Sequence, residues 1–166
     1  MADDTWQSKS SGKKPCRACV DFKTWSKQQK QNNTGQSSKS SSPKVTEEAP
    51  KPPADCPVDK DQLGRATWTF LHTMAAYYPE APSTSQQQEM AIMMRTFSKY
   101  YPCDYCSHHM REWMNSNPPL TKDRSSFSQW MCSMHNEVNV RLDKPIFDCS
   151  KVDERWLHGW KDGSCD

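Results

Sequence analysis

The sequence predicts an all-α fold, a four-helix bundle with a short fifth helix, preceded by a disordered N-terminal segment. Four segments carry apolar residues mostly at three- and four-residue steps, which is the spacing of one helix face. β-branched residues are scarce in these segments, and no run alternates between apolar and polar residues as a half-buried strand would. Short loops that contain proline separate the segments, and this arrangement is typical of a compact helical bundle.

Composition divides the chain into two parts. Between Ser26 and Ala54 almost every residue is Ser, Lys, Gln, Asn, Pro or Glu. Such a segment buries too little apolar surface to offset the entropy lost on ordering. Aromatic and aliphatic residues return at Cys56 and continue to the end of the chain. We therefore expect residues 1–55 to be mostly disordered and residues 56–166 to form one domain.

The first two predicted helices have clear start signals. The first lies in DKDQLGRATWTFLHTMAAYY, where Asp59 or Asp61 can serve as the N-cap and Pro79 follows the end. The second lies in STSQQQEMAIMMRTFSKYY, where Ser83 or Ser85 can serve as the N-cap. The predicted apolar positions are Leu63, Trp68, Phe70, Leu71, Met74 and Ala75 in the first helix, and Met90, Met93, Met94 and Phe97 in the second.

The later helices are also bounded by proline. The third, PCDYCSHHMREWMNS, begins with Pro102, a residue favoured in the first turn, and ends before Pro118. The fourth lies in SSFSQWMCSMHNEVNVRLD, and the short fifth helix lies in KVDERWLHGW. The apolar positions of the fourth helix are Phe127, Trp130, Met131, Met134, Val138 and Leu142.

Charge and hydropathy argue against several classes of protein. A formal net charge of +2 gives no electrostatic reason to bind nucleic acid or an anionic membrane. No stretch approaches the roughly 18 apolar residues of a membrane span. The first residues, MADDTWQSKSSGKKP, lack both the apolar core of a secretory signal and the Arg-rich pattern of a transit peptide. We therefore expect a chain without a membrane span or a cleaved targeting sequence.

Two cysteines stand at the start of the third predicted helix. Cys103 and Cys106 are one helical turn apart, so their sulfur atoms lie on one face and near enough to bridge. A helix N-terminus favours a thiolate, which is the attacking species in thiol–disulfide exchange. The spacing also suits a structural bridge or half of a zinc site, although His108 and His109 do not follow at zinc-finger spacing. Spacing alone leaves the redox pair and the structural readings equally open.

Polar and aromatic residues share a face on two other helices. Buried imidazoles and amides need hydrogen-bond partners, so such faces are poor core material. They suit a flat aromatic ligand with polar edges, whereas the alternative is surface His and Asn beside a core Trp. The residues are Arg65, Trp68 and His72 on the first helix, and Cys132, His135, Asn136 and Asn139 on the fourth.

Two further pairs of cysteines have spacings that suggest possible functions. Cys16 and Cys19 form a second C-x-x-C pair ahead of the polar stretch, where the pair could move on a tether or supply half of a zinc knuckle. Cys132 and Cys149 are 17 positions apart, which suits a local disulfide between the fourth helix and the C-terminal segment.

Four motifs occur along the domain: GRATWTFLHTMAAYYP, FSKYYPCDYC, HNEVN and DCSKVDERWLHGWKDGSCD. Together they resemble the Erv/ALR family of FAD-linked sulfhydryl oxidases, over essentially all of residues 56–166. CRACVDFKTW, within residues 16–25, resembles the N-terminal shuttle segment of the family's long form. Several motifs in one order make this resemblance specific, which a lone C-x-x-C pair would not.

The resemblance implies a four-helix bundle that holds one FAD non-covalently. It implies that Cys103 and Cys106 form the active disulfide, with Cys106 nearest the flavin and Cys103 the sulfur attacked. It also implies a structural bridge between Cys132 and Cys149. The implied FAD-contact positions are Lys60, Gly64, Arg65, Trp68, His72, Tyr101, Cys132, His135, Asn136, Val138, Asn139, Lys144, Arg155 and Trp156.

The resemblance also implies an assembly and a path for electrons. Cys56 and Cys165 match bridges between the subunits of a homodimer. Cys16 and Cys19 match a redox shuttle that takes electrons from a protein dithiol and passes them to the active disulfide and then to FAD. The final acceptor is O2, which gives H2O2, or cytochrome c.

The resemblance places such a protein in the disulfide relay of the mitochondrial intermembrane space. The implied dithiol substrate there is the import oxidoreductase of that compartment. Cytosolic or secreted forms are alternative locations.

Two other functions remain on the residues alone. One is a zinc-binding interaction module that uses both C-x-x-C pairs, although the long polar stretch between the pairs argues against it. The other is a secreted signalling protein stapled by disulfides, against which the absent signal sequence argues. Both alternatives predict a colourless protein.

Overall fold

The structure, a computed structural model, describes residues 56–165. Helices make up most of this part and no strand occurs in it, so the predicted all-α fold is confirmed. None of the helices in the described range is long and apolar enough to cross a membrane. Residues 1–55, with Cys16 and Cys19, lie outside the described residues. The helices are α1 (Lys60–Ala76), α2 (Thr84–Tyr100), α3 (Asp104–Ser116) and α4 (Arg124–Arg141).

Reciprocal caps fix where the first two helices begin. Asp59 accepts the N–H of Gln62 at 2.8 Å, and the Gln62 side chain accepts the N–H of Asp59 at 3.3 Å. Ser83 and Gln86 form the same pair of bonds at 3.2 and 2.8 Å. Each cap satisfies two N–H groups that have no partner within the helix. The N-caps are therefore Asp59 and Ser83, and not the alternative candidates Asp61 and Ser85.

Two details of the predicted helices are wrong. Pro102 does not open the third helix, because Cys103 is the N-cap and its sulfur accepts the N–H of Cys106 at 3.4 Å. Phe70 was expected in the core but is 58% exposed. It lies one position from the fully buried Leu71, which is about 100° around the helix, and therefore faces outward.

The predicted short fifth helix is present as one continuous helical segment of mixed type over residues 149–158. A 3₁₀ turn spans Cys149–Lys151, and a π-helical turn spans Glu154–His158. Gly159 ends the second turn with φ 82°, a conformation that favours glycine because it has no Cβ. The turn is short, but it carries Arg155 and Trp156, two of the residues implied to contact the cofactor.

The helices pack as two pairs around one apolar core. α1 packs against α4, and α2 packs against α3. Leu71, Met94, Phe127 and Met131 are fully buried between the pairs. The π-helical turn packs on α1, so the C-terminal segment extends the α1–α4 pair and becomes part of the wall described next.

Candidate cofactor site

One large cavity opens beside the core. Its volume is about 690 Å³, within the range of cavities that hold cofactors. Residues of α1, α3 and α4 line it, together with the segment after α4 and the π-helical turn. The cavity therefore lies between the helix that carries Cys106 and the pair formed by α1 and α4.

Two indoles and two imidazoles form one side of this cavity. The rings of Trp68 and His135 stack at 3.9 Å and 6°, and those of His72 and Trp156 stack at 4.6 Å and 2°. The imidazoles join the two stacks, because His72 Nε2 lies 2.9 Å from His135 Nδ1. Flat rings held in this way offer a surface for a planar aromatic ligand.

Both imidazoles are neutral at pH 7. Burial, then repulsion from His135 when that ring is protonated, then the Arg155 guanidinium lower the pKa of His72 to about 3. Burial, then Lys144, lower the pKa of His135 to about 4. The shared bond uses one nitrogen of each ring, and His72 Nδ1 is left buried without a partner in the described residues. A ligand that hydrogen-bonds to this atom would remove a desolvation cost.

Positive side chains surround the same cavity. Lys60, Arg65, Lys144 and Arg155 all contribute to its lining. The Arg155 guanidinium lies over the Trp156 ring at 4.3 Å, which fixes its position beside the stacked rings. Arg141 also lines the cavity, which makes five cations. This number of cations around an aromatic wall suits a ligand that is flat at one part and anionic at another.

The Cys103–Cys106 disulfide lies at the α3 end of the cavity. Cys106 is half-buried and belongs to the lining, whereas Cys103 is 1% exposed. Both residues occupy the start of α3, where N–H groups and the helix dipole favour a thiolate over a thiol. The pair can therefore exchange with a dithiol and, on reduction, present one sulfur to whatever fills the cavity.

A second disulfide holds the C-terminal part of the wall in place. Cys149 is bonded to Cys132 of α4. Next to this bond, the Asn136 side chain donates to the Phe147 carbonyl at 2.8 Å and accepts its N–H at 2.9 Å. The Asn136 amide is therefore committed to the backbone of the segment, so its part in a cofactor site is to position that segment.

All fourteen implied FAD-contact positions lie in the lining of this one cavity. The two polar faces predicted on α1 and α4 meet there. Contact with FAD stays a prediction. Sequence reasoning missed Tyr105, His109, Met110 and Arg141, which also line it. The first three lie within about one turn of Cys106 on α3, so helical spacing from that cysteine could have identified them.

The remaining cysteines have no partner in the described chain. Cys56 is half-buried and Cys165 is exposed, and neither forms a disulfide within residues 56–165. In the same range, no group of three or more His, Cys, Asp or Glu side chains is arranged to hold a metal ion. The assignment of Cys56 and Cys165 to disulfides between subunits stays a prediction.

Comparisons with known proteins point to one family. The family model described as Erv1 / Alr family matches residues 65–157. FAD-linked sulfhydryl oxidase ERV1 of Arabidopsis thaliana is 49% identical over 100 residues, 60% of this chain and 52% of that protein. Mitochondrial FAD-linked sulfhydryl oxidase ERV1 of Saccharomyces cerevisiae is 42% identical over 104 residues, 63% of this chain and 55% of that protein. The chain thus spans about half the length of these curated relatives.

Solved structures agree with this result. The yeast Erv1 core is 37% identical, with a TM-score of 0.64 over 71% of this chain and 100% of that one. The FAD binding domain of Erv1 from Saccharomyces cerevisiae is 41% identical, with a TM-score of 0.61 over 63% of this chain and 99% of that one. Since the family model covers more than half of the sequence, the chain belongs to the Erv1 / Alr family.

Proposed function

We propose that this protein is an FAD-linked sulfhydryl oxidase, which converts a dithiol and O2 into a disulfide and H2O2. One observation carries the proposal: the Cys106 sulfur, in a disulfide at a helix N-terminus, belongs to the lining of a cavity walled by stacked rings. Names of the relatives in Arabidopsis and yeast, which state FAD and sulfhydryl oxidation, support it.

The lining fits FAD on three grounds. The stacked pairs supply flat walls, the five cations suit a pyrophosphate, and the buried His72 Nδ1 has no hydrogen-bond partner in the described residues. Trp68, His72, His135 and Trp156 would hold the ring system together with the other implied contact residues. When bound, FAD would take two electrons from the reduced cysteine pair and pass them to O2 or, one at a time, to cytochrome c, a transfer that thiols make only poorly.

The chain's own residues handle the thiol chemistry. A substrate thiolate attacks the Cys103 sulfur, the Cys103–Cys106 bond breaks, and Cys106 leaves as a thiolate that the N-terminus of α3 stabilises. The second substrate thiolate then attacks the mixed disulfide and releases Cys103, so two electrons have entered the pair. Because Cys103 is 1% exposed, the groups around it must move aside when a substrate docks.

In the proposed function, this chemistry also serves protein substrates. Cys16 and Cys19 act as the shuttle that carries electrons from a protein dithiol to the active disulfide. The substrate is the import oxidoreductase of the mitochondrial intermembrane space. Relatives named as mitochondrial in both Saccharomyces cerevisiae and Schizosaccharomyces pombe support that location.

The proposed assembly is a homodimer linked through Cys56 and Cys165. Apolar side chains on the outer faces of α1 and α2 support it, since Phe70 is 58% and Ile92 is 62% exposed in the single chain. A partner subunit would cover such side chains.

A visible absorption spectrum tests the proposal most directly. The purified protein should be yellow, its flavin bands should bleach when dithiothreitol is added without air, and they should return in air. A colourless protein that cannot be reconstituted with FAD would overturn the proposal. A zinc assay would then test the metal-binding alternative.

A further inference from the structure

The helix that carries the active disulfide has few contacts with the opposite wall of the cavity. α3 packs against α2, whereas most of the wall belongs to α1 and α4. The Trp113 and Trp130 rings, 5.7 Å apart, connect α3 to α4 in the core. Beside the cavity, a hydrogen bond of 2.8 Å between Arg141 Nη1 and His109 Nδ1 connects the same two helices. We call this bond the His109–Arg141 bridge.

Two groups compete for the same nitrogen of His109. Arg141 can only donate, so its bond to Nδ1 requires that Nδ1 carry no proton. Glu112 Oε2, 3.3 Å from the same Nδ1, can only accept and so requires a proton there. A neutral ring protonated on Nε2 satisfies the bridge, whereas the imidazolium satisfies Glu112 and repels Arg141. Protonation of His109 on Nδ1 therefore replaces its bond to Arg141 on α4 with a bond to Glu112 on α3.

We propose that His109 is a positioning residue, which while neutral holds the disulfide-bearing helix α3 against α4 across the rim of the cofactor cavity and releases α4 when it is protonated. This inference rests on the proposed FAD site. His109 and Arg141 both line the cavity, and His109 is 22% exposed, which places the bridge at the rim. Breaking it would let the wall that carries Cys106 separate from the wall that carries His135.

The charges around His109 come from three helices. On α3, Glu112 also pairs with His108 at 3.2 Å, and the Tyr105 ring meets the His109 ring edge-on at 4.3 Å. On α4, Glu137 accepts from Arg141 Nε at 2.9 Å and so keeps the guanidinium near the rim. Lys60, Asp61 and Arg65 of α1 and Lys144 after α4 line the same cavity.

The experiment described next covers about pH 5.5 to 8. His72, with a pKa of about 3, and His135, with a pKa of about 4, both stay neutral across it. In the folded protein, the charge of the stacked imidazoles therefore does not change across this window.

The first experiment measures how fast the holoprotein releases FAD to a scavenger, by flavin fluorescence, between about pH 5.5 and 8. The wild type should release FAD about threefold to tenfold faster at the acidic end, the effect of losing one hydrogen bond. In His109→Gln, the amide oxygen accepts from Arg141 at every pH, so release should stay slow and independent of pH. In Arg141→Gln, release should be fast throughout.

His108→Gln is the matched control, since His108 lies next to His109, pairs with the same Glu112 and is 62% exposed. It should keep the wild-type pH profile. A His109→Gln variant that follows the wild-type profile would overturn the bridge, and so would a His108→Gln variant that loses it.

A second readout does not need the flavin. Imidazole ¹⁵N NMR at about pH 8 should show His109 with its proton on Nε2, and Arg141→Gln should shift the Nδ1 resonance. A proton on Nδ1 at that pH, or a resonance indifferent to Arg141, overturns the inference. If the protein binds no FAD, the proposed function is wrong. The NMR measurement then tests the His109–Arg141 bridge by itself.

Discussion

The guanidinium of Arg124 at the start of α4 donates to both carboxylate oxygens of Asp153, at 2.8 and 3.2 Å. Arg124 also pairs with Glu80 in the loop between α1 and α2. Asp153 directly precedes the π-helical turn Glu154–His158, so the ion pair anchors a segment of the cavity wall to α4.

Removing this anchor should weaken the fold. We expect Arg124→Ala to lower the free energy of unfolding by about 1–2 kcal/mol, because the two bonds to Asp153 and the bond to Glu80 are lost and Asp153 is left unpaired. Urea unfolding measures the effect, and a cycle with Asp153→Asn isolates the pair. The exposed pair of Lys122 and Asp123, 3.8 Å apart, provides the control, and Lys122→Ala should have no measurable effect. Equal losses in the two alanine variants would contradict this account.

Acid should destabilise the fold through His72. Its pKa falls from 6.5 to about 3 in the folded protein, so the unfolded chain takes up the proton first as pH decreases. The stabilisation is complete above pH 6.5 and is lost progressively from there toward pH 3. Between pH 6.5 and 5 the loss is about 2 kcal/mol, at 1.4 kcal/mol per pH unit.

Unfolding of the flavin-free protein at pH 7 and pH 5 tests this. His72→Phe should reduce the difference between the two pH values, whereas His108→Gln, at an exposed position, should leave it unchanged. An unfolding free energy of the wild type that is the same at both pH values would show that His72 is not held neutral by burial.

Replacing the cavity-facing sulfur should separate binding from chemistry. We expect Cys106→Ser to retain FAD, because the stacked rings and cations remain, and to lose thiol oxidation by at least a factor of about 100, because the disulfide with Cys103 can no longer form. Flavin absorbance and oxygen uptake with dithiothreitol measure the two properties. Substantial oxidation by Cys106→Ser would mean that another group transfers the electrons.

The shuttle pair should matter only for protein substrates. Cys16→Ser should oxidise a small dithiol at the wild-type rate and should fail with a folded protein dithiol, because a small thiol reaches the active disulfide without a relay. Oxygen uptake with each substrate provides the comparison. Wild-type turnover of the protein substrate would contradict the relay.

The helices and the two polar faces could be predicted from the sequence because both depend on the spacing of residues that are close together in the chain. The positions of His72 and His135 indicated polar faces that suit a ligand, with a surface position as the alternative, and the structure brings the two rings to 2.9 Å. The His109–Arg141 bridge could not be predicted in this way, since it joins residues 32 positions apart and depends on how two helix pairs meet. The short fifth helix was predicted within KVDERWLHGW, but its π-helical form over Glu154–His158 was not.

The two disulfides differ in what their opening would release. Cys103 and Cys106 are three positions apart, whereas Cys132 and Cys149 are 17 positions apart. Opening a small ring frees little chain entropy, and the Ser107 N–H bond to the Cys103 carbonyl, at 2.8 Å, still closes the first turn of α3. Under the proposed chemistry, the bond between Cys103 and Cys106 opens and closes in each cycle, and the first turn of α3 keeps its backbone hydrogen bond while the bond is open. The same chemistry leaves the larger ring, closed by Cys132 and Cys149, intact as the connection between α4 and the C-terminal segment.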